Sequence, residues 1–566
     1  MSHSSLEKAE ALACGSILYL VQALAGNKVE VQPRLWLVTR GAQSAACSNC
    51  LPHATSPELG LCPHQSLIWG LGNVIRMEHP EWKCSCIDIS LTYDRQQTTD
   101  DRLQPSAFSY QTKLLFESIL RGDMEDRIMI RDHSRYGARI MPLLLPNKGR
   151  LTLLPDATYL ITGGLGVLGL ETASWLAEKG AANLVLVGRN EGSAAAEAQV
   201  RKLRQSGVRV NVLKADIAKR ADVLMIIEAI SGMPPLKGII HGAGVLSDGV
   251  LMKQDMERFR KVISPKADGA WNLHEATLDM NLDFFVCFSS VASVLGSAGQ
   301  SNYAAANAFL SGFMYERRRQ GLHGLSVNWG PWELGMAAGL ENRDAERIAA
   351  RGISAISPAE GFDIMEQLIL HDETEASVLS VNWDKYLRYH YQGSIPPFFQ
   401  AVMEESSGKR SASEENSGNR SVSKEKSAII VKLEGMPAGQ RKTALIDYVQ
   451  MQVATVLHLK HTKRVSPDQG LFDLGIDSLM AMELKNKFET DMGRPLRPTL
   501  IFDYPTVDAL AGYLAEEMGM ADDQSHQTTQ EYPKDKGSGA IVVLSAEEIN
   551  DSIADELAKL ESLLKG

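Results

Sequence analysis

The stretch from Tyr159 to Arg189, YLITGGLGVLGLETASWLAEKGAANLVLVGR, narrows the possible folds of this chain more than any other. Apolar Tyr159-Leu160-Ile161 reads as a buried strand. A glycine cluster, a helix and a second apolar strand, Leu184 to Val187, follow it. Gly164, Gly166 and Gly169 fall in GxGxxG spacing between the strand and the mouth of the helix. In that context one glycine allows a tight turn, the next lets the main chain approach a pyrophosphate, and the third packs helix on strand. The helix N-terminus then offers free N–H groups to the phosphates. The end of the second strand bears on which nicotinamide binds. A carboxylate there would hold the ribose hydroxyl of NAD, whereas arginine suits the 2′-phosphate of NADP. The chain has Gly188-Arg189-Asn190 and no carboxylate until Glu191, which favours NADPH.

The unit continues as strand–helix repeats. Val208 to Leu213 reads as a third strand ending near Asp216, where a side chain can hydrogen-bond an adenine. Gly238 to Gly244, GIIHGAG, reads as a fourth strand running into small residues, as close backbone approach to a cofactor requires. Phe284 to Ser289 reads as a fifth. The alternation implies a doubly wound, Rossmann-type parallel sheet that binds ligands beyond the carboxyl ends of its strands. Ser289-Ser290 ends the fifth strand there, and Tyr303 to Asn307 opens the next helix with both residues on one face. Carbonyl reduction by hydride needs a proton donor for the developing alkoxide and a hydroxyl that bonds the carbonyl oxygen. A tyrosine, with an ordinary pKa of about 10, wants a nearby cation to loosen its proton.

Residues 159–400 resemble the ketoreductase domain of modular polyketide synthases, a variant of the short-chain dehydrogenase/reductases. The resemblance rests on ITGGLGVLG, HGAGVLSDG, VISPKADGAWNLH, FSSVASVLGSAGQSNYAAANAF and LSVNWGPW. It implies Tyr303 as the acid, Ser290 as the carbonyl-orienting hydroxyl, Lys266 as the cation and Asn307 as the fourth member. The lysine comes from an earlier segment rather than four residues after the tyrosine, as in that variant. The cofactor-binding set is Gly163, Gly164, Gly166, Leu168, Gly169, Arg189, Asp216, Ile217, Gly242, Ala243 and Gly244. Two fingerprints of product stereochemistry are also implied. One class of the family carries tryptophan eight residues before the tyrosine, where this chain has Leu295. The other carries L-D-D, where this chain reads Leu246-Ser247-Asp248 and keeps the last aspartate. The second class, with a D-configured alcohol, is the expectation. Ala305 is not the proline linked to epimerised α-methyl substrates, so a substrate without an inverted α-branch is expected.

Residues 151–402 are thus the expected catalytic domain, and 1–150 a partial structural subdomain of the same reductase. RLWLVTRGAQ and SLIWGLGNVIRMEHPEW resemble only the back half of that subdomain. Half a sheet exposes strand edges and apolar surface, so Met1 is expected to be an internal methionine of a longer polypeptide, or the chain a fragment. Helical periodicity over Ala11–Leu24 and Ser66–Met77, and an apolar strand over Leu35–Thr39, fill this region. Cys47-x-x-Cys50 with His53, Cys62 and His64 downstream has a spacing open to zinc. A second clean ligand pair is missing, so a cysteine-rich loop is the reading and no metal site is assigned.

Residues 403–428 are polar and rich in Ser, Gly, Glu and Lys, the composition of a flexible tether with a reach of about 25–30 Å. Residues 429–520 read as short helices, a four-helix bundle of the up-down kind. Arg441 to Leu459 has Leu445, Val449, Val453, Val456 and Leu457 on one face. Asp477-Ser478-Leu479 opens a second helix, running to about Phe488, and Thr506 to Met518 forms another. LFDLGIDSLMAMELKNKFE resembles acyl carrier proteins, which implies 4′-phosphopantetheine on Ser478. A linker over 521–543 leads to a final helix within 544–566. There Ser545 and Glu548 form a capping box, and Ile549, Ile553, Leu557, Leu560 and Leu564 form an apolar stripe. That helix resembles the docking helices that pass product between synthase subunits. The family therefore implies upstream and downstream subunits, a phosphopantetheinyl transferase and a dimer as partners.

Composition agrees. A net charge of −11 disfavours nucleic acid and anionic membranes as general partners, and 44% hydrophobic residues suffice for real cores. Seven cysteines without a framework, no signal peptide and no long apolar run point to the cytoplasm. A free-standing short-chain dehydrogenase would explain 151–402 but leave the carrier unit without purpose. A catalytically silent carrier and docking scaffold is the other alternative, and turnover separates it.

Overall fold

The structure, a computed structural model, describes residues 9–26, 33–44, 61–89, 107–131, 134–334, 351–391, 395–404 and most of 429–518. The chain divides into Met1–Gly519 and Met520–Gly566. The second unit, with the expected docking helix, lies outside the described residues, as does nearly all of the 403–428 tether.

The first lobe holds α1 (Ser16–Gly26), β1 (Trp36–Arg40), α2 (Pro63–Glu78), β2 (Ser85–Ile89), α3 (Ala107–Leu120), β3 (Arg127–Arg131) and β4 (Ser134–Gly137). A π-helical turn, Ala11–Gly15, leads into α1, and α2 begins three residues before Ser66 because Pro63 supplies a ready-made N-terminal φ. The four strands pair in the order β1-β2-β3-β4, parallel except for β4. Among the described residues β1 is an edge strand, and Val38 on it is 43% exposed. Leu12, Tyr19 and Leu20 are exposed on the π-helical turn and α1.

The second lobe begins with β5 (Thr158–Thr162), α4 (Val167–Glu178), β6 (Asn183–Gly188), α5 (Ala194–Gln205), β7 (Arg209–Lys214), α6 (Arg220–Ile230) and β8 (Leu236–His241). It continues with α7 (Met256–Ala276), β9 (Phe284–Ser290), the short α8 (Ala292–Leu295), α9 (Ser301–Arg319) and β10 (Leu325–Trp329). A two-residue pair, β11 (Ile353–Ser354) and β13 (Ser380–Val381), brackets α10 (Pro358–Leu370) and β12 (Glu375–Val378), and α11 (Trp383–His390) follows. Seven strands form one sheet in the order β12-β10-β9-β8-β5-β6-β7, with every pairing parallel. Strand order reverses between β5 and β8, and the crevice beyond their carboxyl ends is where such sheets bind ligands. Strands β5 and β10 are buried throughout, so the polar Thr158, Thr162, Ser326 and Asn328 on them are buried along with their apolar neighbours.

The lobes share a core. Leu67, Leu71 and Val74 of α2 pack in one cluster with Ala304, Phe309 and Phe313 of α9. Small residues make the approach possible. A Cβ on Gly70 would sit 2.2 Å from the Ala304 carbonyl oxygen, and one on Gly312 would sit 2.2 Å from Ser66 Oγ. The carrier region forms α12 (Ala438–Val456), α13 (Ser478–Met492), the short α14 (Leu500–Asp503) and α15 (Val507–Glu517). Leu445, Val449 and Val453 are fully buried as their spacing requires, Leu457 is 9% exposed, and Val456 is only half-buried. They meet Leu484, Phe488, Leu510 and Leu514 in the interior of the bundle.

A Cβ on Gly70 would meet only main-chain atoms of Ala304 and Ala305, which cannot give way as a side-chain end can. Gly70→Ala should lower stability by about 1–3 kcal/mol, read as an earlier urea midpoint at unchanged m-value.

Candidate active site

The β5–β8 crevice opens into a cleft of about 1160 Å³. One half is a cradle of main chain. Gly163 has φ +68°, and a Cβ on it would lie 2.8 Å from the Gly242 carbonyl oxygen, so the β5 and β8 loops touch through backbone alone. A Cβ on Gly169 would lie 2.3 Å from the Gly163 carbonyl, which fixes how closely α4 approaches the turn. Gly166 is the N-cap of α4 and has no side chain to cap it, leaving the first-turn N–H groups facing the loop. Gly163, Gly166, Leu168, Gly169, Gly242, Ala243 and Gly244 line the cleft, with Ile217 across from them. These residues fit a dinucleotide, whose pyrophosphate needs a Cβ-free approach and uncapped N–H donors.

Two members of the sequence-derived set are placed differently. Gly164 is not in the lining; it faces β6, where its Cβ would meet Leu186 Cα at 3.0 Å. Asp216 is also outside the lining, and its carboxylate accepts the N–H of Ala218 at 3.2 Å. An aspartate bonding its own chain two residues on is a local turn, which competes with the adenine contact its position suggested. Arg189 lies exposed on the rim. The nearby Glu191 pairs with Lys214 at 3.8 Å.

The other half carries the reactive groups. Tyr303, in the first turn of α9, and Ser290, the last residue of β9, both face the cleft. Ser290 Oγ accepts the Ala292 N–H at 3.2 Å. Asn307 is fully buried below Tyr303 and donates Nδ2–H to its carbonyl oxygen at 2.8 Å, which ties the turn that carries the phenol. Asn307 itself is outside the lining, so it acts through α9 rather than on a ligand. Burial raises the pKa of the Tyr303 phenol, and the side chains of Asn307 and Ser290 pull it back. Lys266 of α7 is 4% exposed and donates Nζ–H to the Phe288 carbonyl at 2.8 Å. Its nitrogen sits 5.5 Å from the centre of the Tyr303 ring. Burial lowers the Lys266 pKa to about 8. The cation is therefore beside the tyrosine, as the motif implies, but it meets the ring and a carbonyl rather than an acidic partner.

Sequence reasoning missed several groups that hold this arrangement. His241, the last residue of β8, has Nε2 at 3.1 Å from the Lys266 carbonyl and Nδ1 at 2.7 Å from Thr162 Oγ1. A carbonyl can only accept, so Nε2 carries the proton and Nδ1 takes the threonine hydroxyl. Burial and the nearby Lys266 push the His241 pKa down to about 3, keeping the ring neutral. Gln300 donates to Asp248 at 3.0 Å, and Asn302 donates to the Ser247 carbonyl at 2.8 Å. Leu246, Asp248 and Leu295 all line the cleft. Ala305 does not: it is buried under Gly70 of α2. Ser478 heads α13 of the carrier bundle. Cys47, Cys50 and His53 lie outside the described residues, and no cluster of potential metal ligands occurs among those described.

A parallel sheet of this order, with tyrosine, serine and lysine at its switch point, defines a reductase of the short-chain dehydrogenase/reductase kind. Residues 157–334 match the family described as KR domain, and 447–514 match the phosphopantetheine attachment site. Polyketide synthase GfsB of Streptomyces halstedii is 34% identical over 524 residues, covering 91% of this chain and 9% of that protein. The phenolphthiocerol synthesis polyketide synthase Pks15/1 of Mycobacterium marinum is 38% identical over 383 residues, covering 67% of this chain and 18% of that protein. A solved structure of A-type ketoreductases from a modular polyketide synthase superposes with a TM-score of 0.60 at 30% identity, covering 69% of this chain and 78% of that one. The chain belongs to the polyketide synthase ketoreductases and carries a phosphopantetheine-binding carrier domain behind the reductase.

Two outcomes follow for carbonyl reduction. Tyr303→Phe should lower kcat by about 10²-fold or more at nearly unchanged cofactor affinity, measured by dye-free nicotinamide absorbance and titration. The ammonium is present below the Lys266 pKa and lost above it, so kcat/KM should fall on the alkaline side with a midpoint near 8. Lys266→Met should abolish that limb in the pH–rate profile.

Proposed function

We propose that the chain reduces a β-ketoacyl thioester to a D-β-hydroxyacyl thioester with NADPH, the acyl group being borne by phosphopantetheine on Ser478. The observation that carries the reading is the convergence of Tyr303, Ser290 and Lys266 on the cleft that the glycine cradle opens. NADPH, when bound, supplies the hydride to the β-carbon. Ser290 accepts a backbone N–H through its oxygen, and its O–H, beside the Tyr303 phenol, is placed to donate to the substrate carbonyl. Tyr303, with a phenol that burial keeps protonated, gives its proton to the same oxygen as charge develops there. Lys266 stabilises the phenolate left behind, its ammonium held at the ring by the Phe288 carbonyl.

Arg189 on the rim, and Glu191 drawn toward Lys214, favour a 2′-phosphate over a bare ribose hydroxyl. The D configuration rests on Asp248 at the cleft wall and on Leu295 where the other class carries tryptophan. Ser247 stands where the fingerprint carries its middle aspartate. That residue holds its loop through the main-chain carbonyl, which any side chain at this position would leave in place.

On this reading 1–150 is the structural part of the reductase, 151–402 the catalytic part and 429–520 the carrier, joined by tethers over 403–428 and 521–543. Residues 544–566 dock a downstream synthase subunit. Chain extension happens on upstream subunits, a phosphopantetheinyl transferase loads Ser478, and a dimer forms in the cytoplasm. No helix among the described residues is long and apolar enough to cross a membrane.

Purified chain with an N-acetylcysteamine β-ketothioester should consume NADPH at least about tenfold more efficiently than NADH and yield the D alcohol by chiral chromatography. An L product would overturn the stereochemical assignment, and no consumption would leave a carrier scaffold. Incubation with coenzyme A and a phosphopantetheinyl transferase should add one phosphopantetheine to the intact mass of the wild type and none to Ser478→Ala.

A further inference from the structure

Glu78 is an acid with no place in the chemistry above. It closes α2 in the first lobe, is 1% exposed, and is absent from the cleft lining. Its two oxygens go to two different loops of the second lobe. Oε2 accepts the N–H of Leu251 at 2.7 Å, and Oε1 accepts the N–H of Gly299 at 2.7 Å. Those loops form opposite sides of one corner of the cleft: Leu246 and Asp248 lie just before Leu251, and Gly296 and Gln300 flank Gly299. The loops also meet each other, with the Gly249 N–H on the Gly299 carbonyl at 2.7 Å and Gln300 on Asp248 at 3.0 Å.

A single carboxylate with one oxygen on each loop sets the distance between them, because both hydrogen bonds must be satisfied at once in a site closed to water. An amide could accept on one side only, and its NH2 would face the other loop's N–H donor. A second group from the same lobe works alongside it: Gln22 of α1 donates to the carbonyls of Leu251 and Gln254 at 3.0 and 2.8 Å.

Resting on the reductase reading, we infer that Glu78 is a positioning residue. It clamps the 246–251 and 296–300 loops together so that a substrate carbonyl is presented to Tyr303 in one orientation. The first lobe then contributes to substrate selection and product configuration without touching the substrate. The cradle of Gly163 and Gly242 receives nothing from Glu78, so cofactor binding is independent of the clamp.

The test compares full-length wild type with Glu78→Gln, and with Glu78→Asp, which keeps the charge but shortens the reach. For Glu78→Gln the expected result is a thermal midpoint lowered by a few degrees with NADPH affinity close to wild type. KM for the N-acetylcysteamine β-ketothioester should rise about tenfold with kcat changed less than about threefold, and the minor enantiomer should increase. Deuterium exchange should accelerate in peptides spanning 246–251 and 296–300 and not in those spanning 163–169. Unchanged KM, enantiomer ratio and exchange would overturn the clamp. So would a parallel loss of thermal midpoint, cofactor affinity and turnover in both variants, which is the signature of a scaffold residue. If wild type reduces no thioester, the reductase reading fails, and loop exchange still decides the clamp by itself.

Discussion

Helix α9 works in two directions, and the rest of the reductase depends on its doing both. Its cleft side carries Tyr303, held in place by the Asn307 amide one turn below. Its opposite side, Ala304 and Ala305 with Gly312 farther along, is stripped of bulk so that α2 can lie against it. A larger residue at the crossing would lever the phenol away from Ser290, since a helix packed this closely transmits displacement rather than absorbing it. The first lobe is thus joined to the cleft through van der Waals contact with the helix that bears Tyr303. Asn73 of α2 reinforces the joint by donating to the Ser293 carbonyl at 2.6 Å.

The polar groups of the site are fixed mainly by backbone. Lys266 rests on the carbonyl of Phe288, His241 on the carbonyl of Lys266, and Ser290 on the N–H of Ala292. A carboxylate against Lys266 would stabilise its charge and hold its pKa high. A carbonyl solvates the ammonium without neutralising it, and burial then loosens the proton. The site consequently holds a cation with no acidic partner among the described residues, beside the Tyr303 ring. Gly244 belongs to the same economy of space, since a Cβ there would lie 3.1 Å from Lys266 Cε.

The carrier bundle illustrates the complementary case of charge placed for packing. Lys485 is 1% exposed and is paired with Glu489 at 2.7 Å on the next turn, while Tyr448 donates to Asp491 at 2.6 Å across the bundle. The first contact lies within α13 and the second joins α12 to α13, and neither uses the N-terminal end of α13, where Ser478 stands.

Much was legible beforehand because it is written in local pattern. Apolar runs of strand length, glycines at fixed offsets and a serine opening a helix are statements about neighbours in sequence, and the strands they indicate are found within a residue or two. Lys266 was placed by its motif alone, and only the sheet brings it to Tyr303, across 36 residues of intervening chain. What could not be read is where a polar side chain spends its hydrogen bonds. Asp216 turned to its own backbone, the cation settled on a carbonyl, and His241 and Glu78 acquired their positions from partners far along the chain. Sequence by itself determined the Rossmann-type sheet and the helical carrier region through periodicity and spacing, and its family resemblance singled out the candidate reactive groups. Tertiary structure decided their geometry and the dependence of the cleft on the first lobe, because a hydrogen bond between distant segments leaves no periodic trace in either one.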